Sequence, residues 1–483
     1  MKDLSLLEII ENIKSKKITS KEVWNYFVGR IEKYDEKLGA FNFVNKDGFK
    51  ENDNSILAGV PLGIKDIFCE KGVPTTGSSK MLENFIPPYD ATVIKKLKEA
   101  GMSSIGKVNM DEFAMGSTGG NSAFRPTGNP WDLTRISGGS SSGSASGVSA
   151  GLIPAALGTD TGGSLRQPAS MCNVVGFRPS YGRNSRYGVM PMASSLDCPG
   201  TITKTVRDAG LLYEIMNGHD KLENTSIEVK DIIDPKIWET KNLKGVKVGL
   251  PKEYFEEGLD IGVKQTILKA IEKLKELGAE IVDISLPMTK YAVAAYYIIV
   301  PAEVSTNLGR LDGLRYGYSS NKPYNDMQEF YMHNRGEGLG VEAQRRSVLG
   351  AYVLSAGFYD SYFKKACQIR TLIIEDFKKA FEKVDVIVSP VSPNVAWKIG
   401  QNLNDPLKDY LADAYTIPAS LAGLPGISVP AGFTKSEDNE KKLLPVGLQI
   451  LTSQFSEQKL LEVANVFEKA TGYAKQNPQG FED

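Results

Sequence analysis

The sequence predicts an α/β fold on three observations. Apolar segments of strand length alternate with segments of helical period, glycines close helical segments before the next strand, and 483 residues with 41% hydrophobic content can bury a large core. Thr19 and Glu22 form a capping-box pattern ahead of Val23, Tyr26, Phe27, Ile31 and Tyr34, whose spacing of three and four marks one apolar helical face. PLGIKDIF, residues 61–68, reads as a short buried strand running into a polar turn. DATVIKKLKEAGMSSIGKVN, residues 90–109, reads as a helix stopped at Gly101 and then a strand. Helices at 205–217 and 263–277, strands at 246–250, 279–284 and 384–389, and further helices between 290 and 383 continue the alternation. ISVPAGF and LPVGLQIL flank the charged stretch TKSEDNEKK and predict a hairpin, and a last helix begins near Ser456. No repeat of fixed period and no long low-complexity linker divides the chain.

Composition excludes several classes of function. Lysine plus arginine (57) against aspartate plus glutamate (58) leaves a formal net charge of -1, so no global basic field draws the chain to nucleic acid or anionic membrane. The cysteines Cys69, Cys172, Cys198 and Cys367 are widely spaced, with no CxxC pair and no neighbouring histidine. That argues against a disulfide framework and a zinc site, and fits a reducing cytosol. The N-terminal MKDLSLLEIIENIKSKK is acidic and amphipathic, without the apolar core or cleavage site of a signal peptide. The apolar run at 291–300 ends at Pro301, well short of the roughly 18 residues that a membrane span needs.

Residues 138–170, GGSSSGSASGVSAGLIPAALGTDTGGSLRQPAS, are as rich in Gly and Ser as a flexible tether. A tether is polar throughout, however, and GLIPAALG at 151–158 supplies a strand's worth of apolar residues between two glycine-rich turns. Glycines that permit close packing and serines that satisfy local backbone are one reading. Nucleophilic acyl transfer is the other. It needs a nucleophile, a base, and backbone N–H groups aimed at a developing oxyanion. The only histidines, His219 and His333, are remote from any GxSxG motif, so a Ser-His-Asp triad has poor support. A buried lysine can serve as base when burial disfavours its charged form, and Lys65 lies in apolar surroundings. The alternative is a lysine paired with Asp66 or another acid at a strand end.

GGSSSGSASG followed by GTDTGGSLRQPAS, with GIKD upstream, resembles the amidase signature family. The resemblance implies a large mixed β-sheet core flanked by helices on both faces. It also implies a Ser-cisSer-Lys triad, with Ser164 as nucleophile, Ser140, held through a cis peptide bond, relaying the proton, and neutral Lys65 as terminal base. The N–H groups of Thr161, Gly162, Gly163 and Ser164 would form the oxyanion hole, where glycines allow close approach of backbone to substrate. Nearly the whole chain is covered, which implies a single domain over residues 1–483 with a signature core at about 55–215.

Within the family, KVNMDEFAMGS, NPWDLTRISGGSS, YGRNSRYGVMPMASSLD, RLDGLRYG, FYDSYFKKACQIRTLI and YTIPASLAGLPGISVP resemble the A subunits of tRNA-dependent amidotransferases, which serve Glu-tRNA(Gln) or Asp-tRNA(Asn). This branch hydrolyses glutamine and passes ammonia on for conversion of Glu-tRNA(Gln) to Gln-tRNA(Gln). The resemblance implies a carboxylate-binding arginine at Arg346 (with Arg345 the adjacent candidate), an amine-binding acid at Asp413 and a lining tyrosine at Tyr297. It implies no metal and no cofactor on this chain. ATP and Mg²⁺ are expected on a larger B subunit that also binds most of the tRNA, with a small C subunit completing a cytoplasmic heterotrimer. The chain itself has no GxxxxGK[ST] pattern and no evident RNA-binding module.

Two departures stand out. Ser142 interrupts a signature that usually reads GGSSGGS, and the lysine common after a GF dipeptide is replaced in GFRPSYGR, where Pro179 is read as removing a charge. Two other classes of function compete with the glutaminase: a stand-alone amidase or carbamate hydrolase, and a non-catalytic scaffold, against which the intact triad speaks.

Overall fold

The computed structural model describes residues 1–228, 232–256, 258–402, 405–436 and 439–483. Its strands are β1 (Phe41–Val44), β2 (Pro61–Lys65), β3 (Ser103–Val108), β4 (Gly128–Asn129), β5 (Asp132–Ile136), β6 (Ala155–Asp160), β7 (Val175–Arg178), β8 (Cys198–Thr203), β9 (Lys247–Pro251), β10 (Glu280–Ile284), β11 (Val386–Pro390), β12 (Gly426–Ser436) and β13 (Asn439–Thr452). Strands β4 and β5 form a small hairpin. The other eleven make one mixed sheet in the order β1-β3-β2-β6-β8-β7-β12-β13-β11-β9-β10. Strand β2 runs parallel to both β3 and β6, and β9 runs parallel to β10 and β11. The remaining pairs are antiparallel.

The helices are α1 (Leu6–Lys14), α2 (Ser20–Leu38), α3 (Thr92–Glu99), α4 (Ser142–Ser149), α5 (Arg166–Cys172), α6 (Val206–Met216), α7 (Ile261–Glu276), α8 (Ala292–Leu308), α9 (Met327–Gly338), α10 (Val341–Leu354), α11 (Lys364–Phe381), α12 (Pro406–Leu411), α13 (Ile417–Leu421) and α14 (Glu457–Thr471). They cover both faces of the sheet, as two successive residues of β7 show. A side chain at Gly176 would meet Ala169 of α5, while the ring of Phe177 packs edge-on against Tyr213 of α6. Successive strand residues point to opposite faces, so α5 and α6 lie on opposite sides. The capping box at Thr19 and Glu22 starts α2 with both reciprocal bonds made, and Val23, Phe27, Ile31 and Tyr34 are buried along it.

Three expectations change. The turn expected before GLIPAALG is the helix α4, and the strand beyond it is displaced to Ala155–Asp160. The hairpin strands consume most of the expected charged loop, pairing as far as Ser436 with Asn439, and residues 437 and 438 lie outside the described residues. Pro301 ends the apolar run but not the helix, since α8 continues through it to Leu308. Among the described residues no helix is long and apolar enough to cross a membrane.

Candidate active site

Lys65 is the last residue of β2, enclosed by the parallel strands β3 and β6 on either side. Its side chain is fully buried, and Nζ lies 2.8 Å from Ser140 Oγ, 2.9 Å from Ser141 Oγ and 2.9 Å from Thr159 Oγ1. No carboxylate pairs with it among the described residues. Asp66 turns the other way, accepting from Asn42 Nδ2 at 2.9 Å, from the Thr76 amide at 3.0 Å and from the Thr76 hydroxyl. Burial pulls the Lys65 ammonium down to about 7, against the opposing pull of Asp111, Asp160 and Asp197. A neutral amine offers two hydrogens and one lone pair, so one of the three hydroxyls must donate to it. Ser141 Oγ is already used as a donor to the Thr159 carbonyl at 3.1 Å, which leaves Ser140 or Thr159 to supply that proton.

Ser140 follows a cis peptide bond from Gly139 and lies just ahead of α4. The Ser141 amide donates to the Ser164 carbonyl at 3.2 Å, so the loop carrying Ser140 is laced to the loop carrying Ser164. Ser164 is 8% exposed, against 0% for Ser140 and Lys65, and its hydroxyl makes no hydrogen bond among the described residues. None of the amide groups of Thr161, Gly162, Gly163 and Ser164 donates to a protein acceptor among those residues either. Unpaired N–H groups beside an unpaired hydroxyl can receive the negative oxygen that forms when such a hydroxyl attacks a carbonyl. A side chain at Gly162 would come within 2.7 Å of the Tyr296 ring, and one at Gly163, where φ is +147°, within 2.2 Å of Thr416 Oγ1.

A buried ion cluster fixes this loop from below. Asp160 accepts from Arg166 Nε at 2.9 Å and Nη2 at 3.0 Å, and from Arg178 Nη1 at 3.1 Å, all with no solvent exposure. Burial raises the Asp160 carboxyl, but the two guanidiniums outweigh it and hold the group well below the usual carboxylate range. Arg166 continues to Gln449 Oε1 at 2.6 Å and Ser420 Oγ at 2.7 Å. On the other side, Thr161 Oγ1 donates to Asp197 at 2.6 Å, and Asp197 also accepts the Met192 and Ala193 amides. The charge expected to be lost at Pro179 is therefore present at the preceding residue, because Arg178 occupies the place after the GF dipeptide. Ser142, the other departure, is the first residue of α4 and is satisfied by Thr127 Oγ1 at 3.2 Å and the Asn109 carbonyl at 3.4 Å.

Beyond the loop lies an aromatic floor. Tyr297 stacks on Tyr410 with centroids 4.0 Å apart at 22°, and the Arg346 guanidinium sits 5.3 Å from the first ring and 5.9 Å from the second. Helices α8 and α10 pack closely here. A side chain at Gly350 would lie 1.9 Å from the Pro301 carbonyl, and one turn earlier on each helix Arg346 meets Tyr297. Arg346 is 4% exposed, whereas the Arg345 side chain is 44% exposed and pairs with Glu342 at the surface. Asp413 is buried beside Gly163, and its Oδ1 has no hydrogen-bond partner. Burial and the neighbouring Asp160 push its carboxyl well above the usual range, against Arg166 and Arg346.

The structure thus brings Lys65 and Ser140 into contact and ties Ser164 to them through the Ser141 amide. It sets Asp413 against the 161–164 loop, with Tyr297 and Arg346 one layer outward. Sequence reasoning missed Tyr296, which faces Gly162, and Thr416, whose hydroxyl donates to the Gly162 carbonyl at 2.6 Å. Tyr296 is the immediate neighbour of Tyr297, so helical phase was the signal available. The two histidines lie elsewhere, His219 against Ser226 and His333 beside Glu329 on α9.

The amidase family model matches residues 22–461. The A subunits of glutamyl-tRNA(Gln) amidotransferase from Thermoanaerobacter pseudethanolicus and Carboxydothermus hydrogenoformans are 48% and 49% identical to this chain, covering 97% and 99% of it and the same shares of their own lengths. The crystal structure of the A subunit of glutamyl-tRNA(Gln) amidotransferase from Thermotoga maritima matches with a TM-score of 0.83 at 40% identity, covering 99% of this chain and 97% of that one. Peptide amidase from Stenotrophomonas maltophilia matches with the same TM-score of 0.83 at 26% identity, over 99% of both chains.

Proposed function

The chain belongs to the amidase family, and from that premise we propose that it is the glutamine-hydrolysing subunit of a tRNA-dependent amidotransferase, supplying ammonia for conversion of Glu-tRNA(Gln) to Gln-tRNA(Gln). One observation carries the choice of substrate. The loop bearing Ser164 is bordered by a buried carboxyl with an unpartnered oxygen, Asp413, and beyond it by the buried guanidinium of Arg346. That acid and guanidinium suit the ammonium and carboxylate of a free amino acid, which a simple amide lacks, the arriving ammonium drawing the Asp413 carboxyl toward its ionised form. The full-length similarity to A subunits of glutamyl-tRNA(Gln) amidotransferases supports the same reading.

In this reading Ser164 Oγ attacks the γ-carboxamide carbon. Its proton passes to Ser140 while Ser140 gives its own to neutral Lys65, and the negative oxygen is received by the free amides of residues 161–164. The same relay returns a proton to the departing nitrogen, leaving ammonia and a glutamyl ester on Ser164. Water, deprotonated along the same path, then releases glutamate. Activation of the tRNA-borne glutamate by ATP and Mg²⁺ falls to a larger B subunit, which also holds the tRNA, and a small C subunit completes a cytosolic assembly.

Tagged chain recovered from its native cell tests this directly. Two partners, one larger and one small, should copurify, and the assembly should hydrolyse glutamine. Recovery of the chain alone, with full activity on simple amides and none on glutamine, overturns the proposal in favour of a stand-alone amidase.

A further inference from the structure

We propose that Glu342 and Tyr410 are positioning residues that aim Arg346 at the carboxylate of the substrate and fix its separation from Asp413. The inference rests on the glutaminase reading above. Arg346 donates through Nε to Glu342 Oε1 at 2.8 Å, one helical turn earlier on α10. No other hydrogen bond holds its guanidinium among the described residues, so both Nη groups remain free as a planar fork. A carboxylate placed against that fork would compete with the substrate. Glu342 engages only the Nε edge, and so orients the group without occupying the face that a substrate carboxylate would take.

The same Glu342 oxygen accepts the Tyr410 hydroxyl at 3.0 Å, and its other oxygen accepts Arg345 Nη1. One carboxylate thereby gathers three donors. Tyr410 adds a second restraint, since its ring stacks on Tyr297 beneath the guanidinium. Tyr410 belongs to α12, and Asp413 follows it by three residues. The Tyr410 to Glu342 bond therefore joins the segment carrying the amine-binding acid to the helix carrying the carboxylate-binding arginine. A cavity of about 400 Å³, lined by Glu342, Arg345, Arg346, Tyr410, Glu112 and Asn121, opens beside this junction.

The test compares glutamine with γ-aminobutyramide, which is glutamine without its α-carboxylate, using the assembly purified through the full chain. Glu342→Ala should raise the KM for glutamine roughly tenfold or more, the scale of a misaligned charge-assisted contact, with a much smaller change in kcat. The KM for γ-aminobutyramide should move far less. Glu342→Gln keeps an acceptor for Nε and should recover part of the loss, and Tyr410→Phe should raise the glutamine KM by a few-fold. An equal rise for both substrates would reduce Glu342 to a structural residue and overturn the proposal, as would an unchanged or lowered KM for glutamine. A wild-type assembly that cleaves γ-aminobutyramide and ignores glutamine overturns the glutaminase reading instead, and this inference with it.

Discussion

Residues 135–180 and residues 341–416 border one site and are built on opposite plans. Every residue from 135 to 180 is buried, although the stretch is dominated by Gly and Ser, and three of its four charged members, Asp160, Arg166 and Arg178, are satisfied by one another with no exposure. The second region opens on α10, which leaves Val341, Val348 and Tyr352 exposed at 72%, 71% and 45% and turns only Ala343, Arg346, Gly350 and Val353 fully inward. On the proposed reading the chemistry is built into the core, where burial itself tunes Lys65, and recognition is supplied by the second region. The equal TM-scores of the Thermotoga maritima protein and the peptide amidase fit this division, since one fold accommodates both at 40% and 26% identity. Changes in the first region should abolish turnover on every substrate, and changes in the second should alter preference among substrates.

The largest expected effect is at the nucleophile. Ser164→Ala should remove hydrolysis of glutamine and of simple amides alike, while the thermal midpoint stays near that of the parent, because the hydroxyl makes no hydrogen bond among the described residues. Retained turnover of either substrate in a purified variant would break the assignment of chemistry to this loop.

The next effect concerns the base. Lys65→Met should cost on the order of 10²- to 10⁴-fold in kcat on all substrates. On the proposed mechanism the reactive form in the parent is the neutral amine, and burial pulls its pKa down to about 7. Lowering the pH through about 7 adds the proton and removes the base, so kcat/KM should fall on the acid side and level off above it. An acid limb centred near the ordinary lysine value, about 10.4, would mean that Lys65 is not desolvated during the reaction and would sink the core half of the comparison.

How much of this was legible in the sequence differs between the two regions for a physical reason. Strand β2, helix α2 and the β12–β13 hairpin follow from patterns that are local, namely apolar period, caps and turns. Helix α4 does not. Its Gly and Ser have low helical propensity, and what stabilises it is tertiary: Ser144, Ser146 and Ser149 donate to the carbonyls of Leu157, Gly128 and Cys172 at 2.8, 2.6 and 2.6 Å. Strand β8, CPGTIT, was equally hidden, because Pro and Gly weaken the strand signal of a segment whose place is fixed by β6 and β7 on its two sides. At the site, Lys65 stood out as a charge in an apolar strand. Glu342 and Tyr410 carried no such mark, since a glutamate four residues before an arginine reads as an ordinary helix-surface pair until the fold brings Tyr410 to it.

The smallest effect sharpens the comparison most, because it separates two adjacent residues of one helix. Arg346→Ala removes a buried guanidinium with a free fork, and should raise the glutamine KM on the order of tenfold to a hundredfold while affecting γ-aminobutyramide little. Arg345→Ala removes a side chain that is 44% exposed and engaged with Glu342 at the surface. Exposed pairs contribute between about 0.2 and 1 kcal/mol, so its effect on the same KM should stay within roughly fivefold. Steady-state kinetics on both substrates for the two variants decide the matter. If Arg345→Ala were the more severe for glutamine alone, the carboxylate would be met at the surface of α10 rather than over the Tyr297 and Tyr410 rings, and the division between a buried catalytic core and an inward-facing recognition edge would have to be redrawn one residue along that helix.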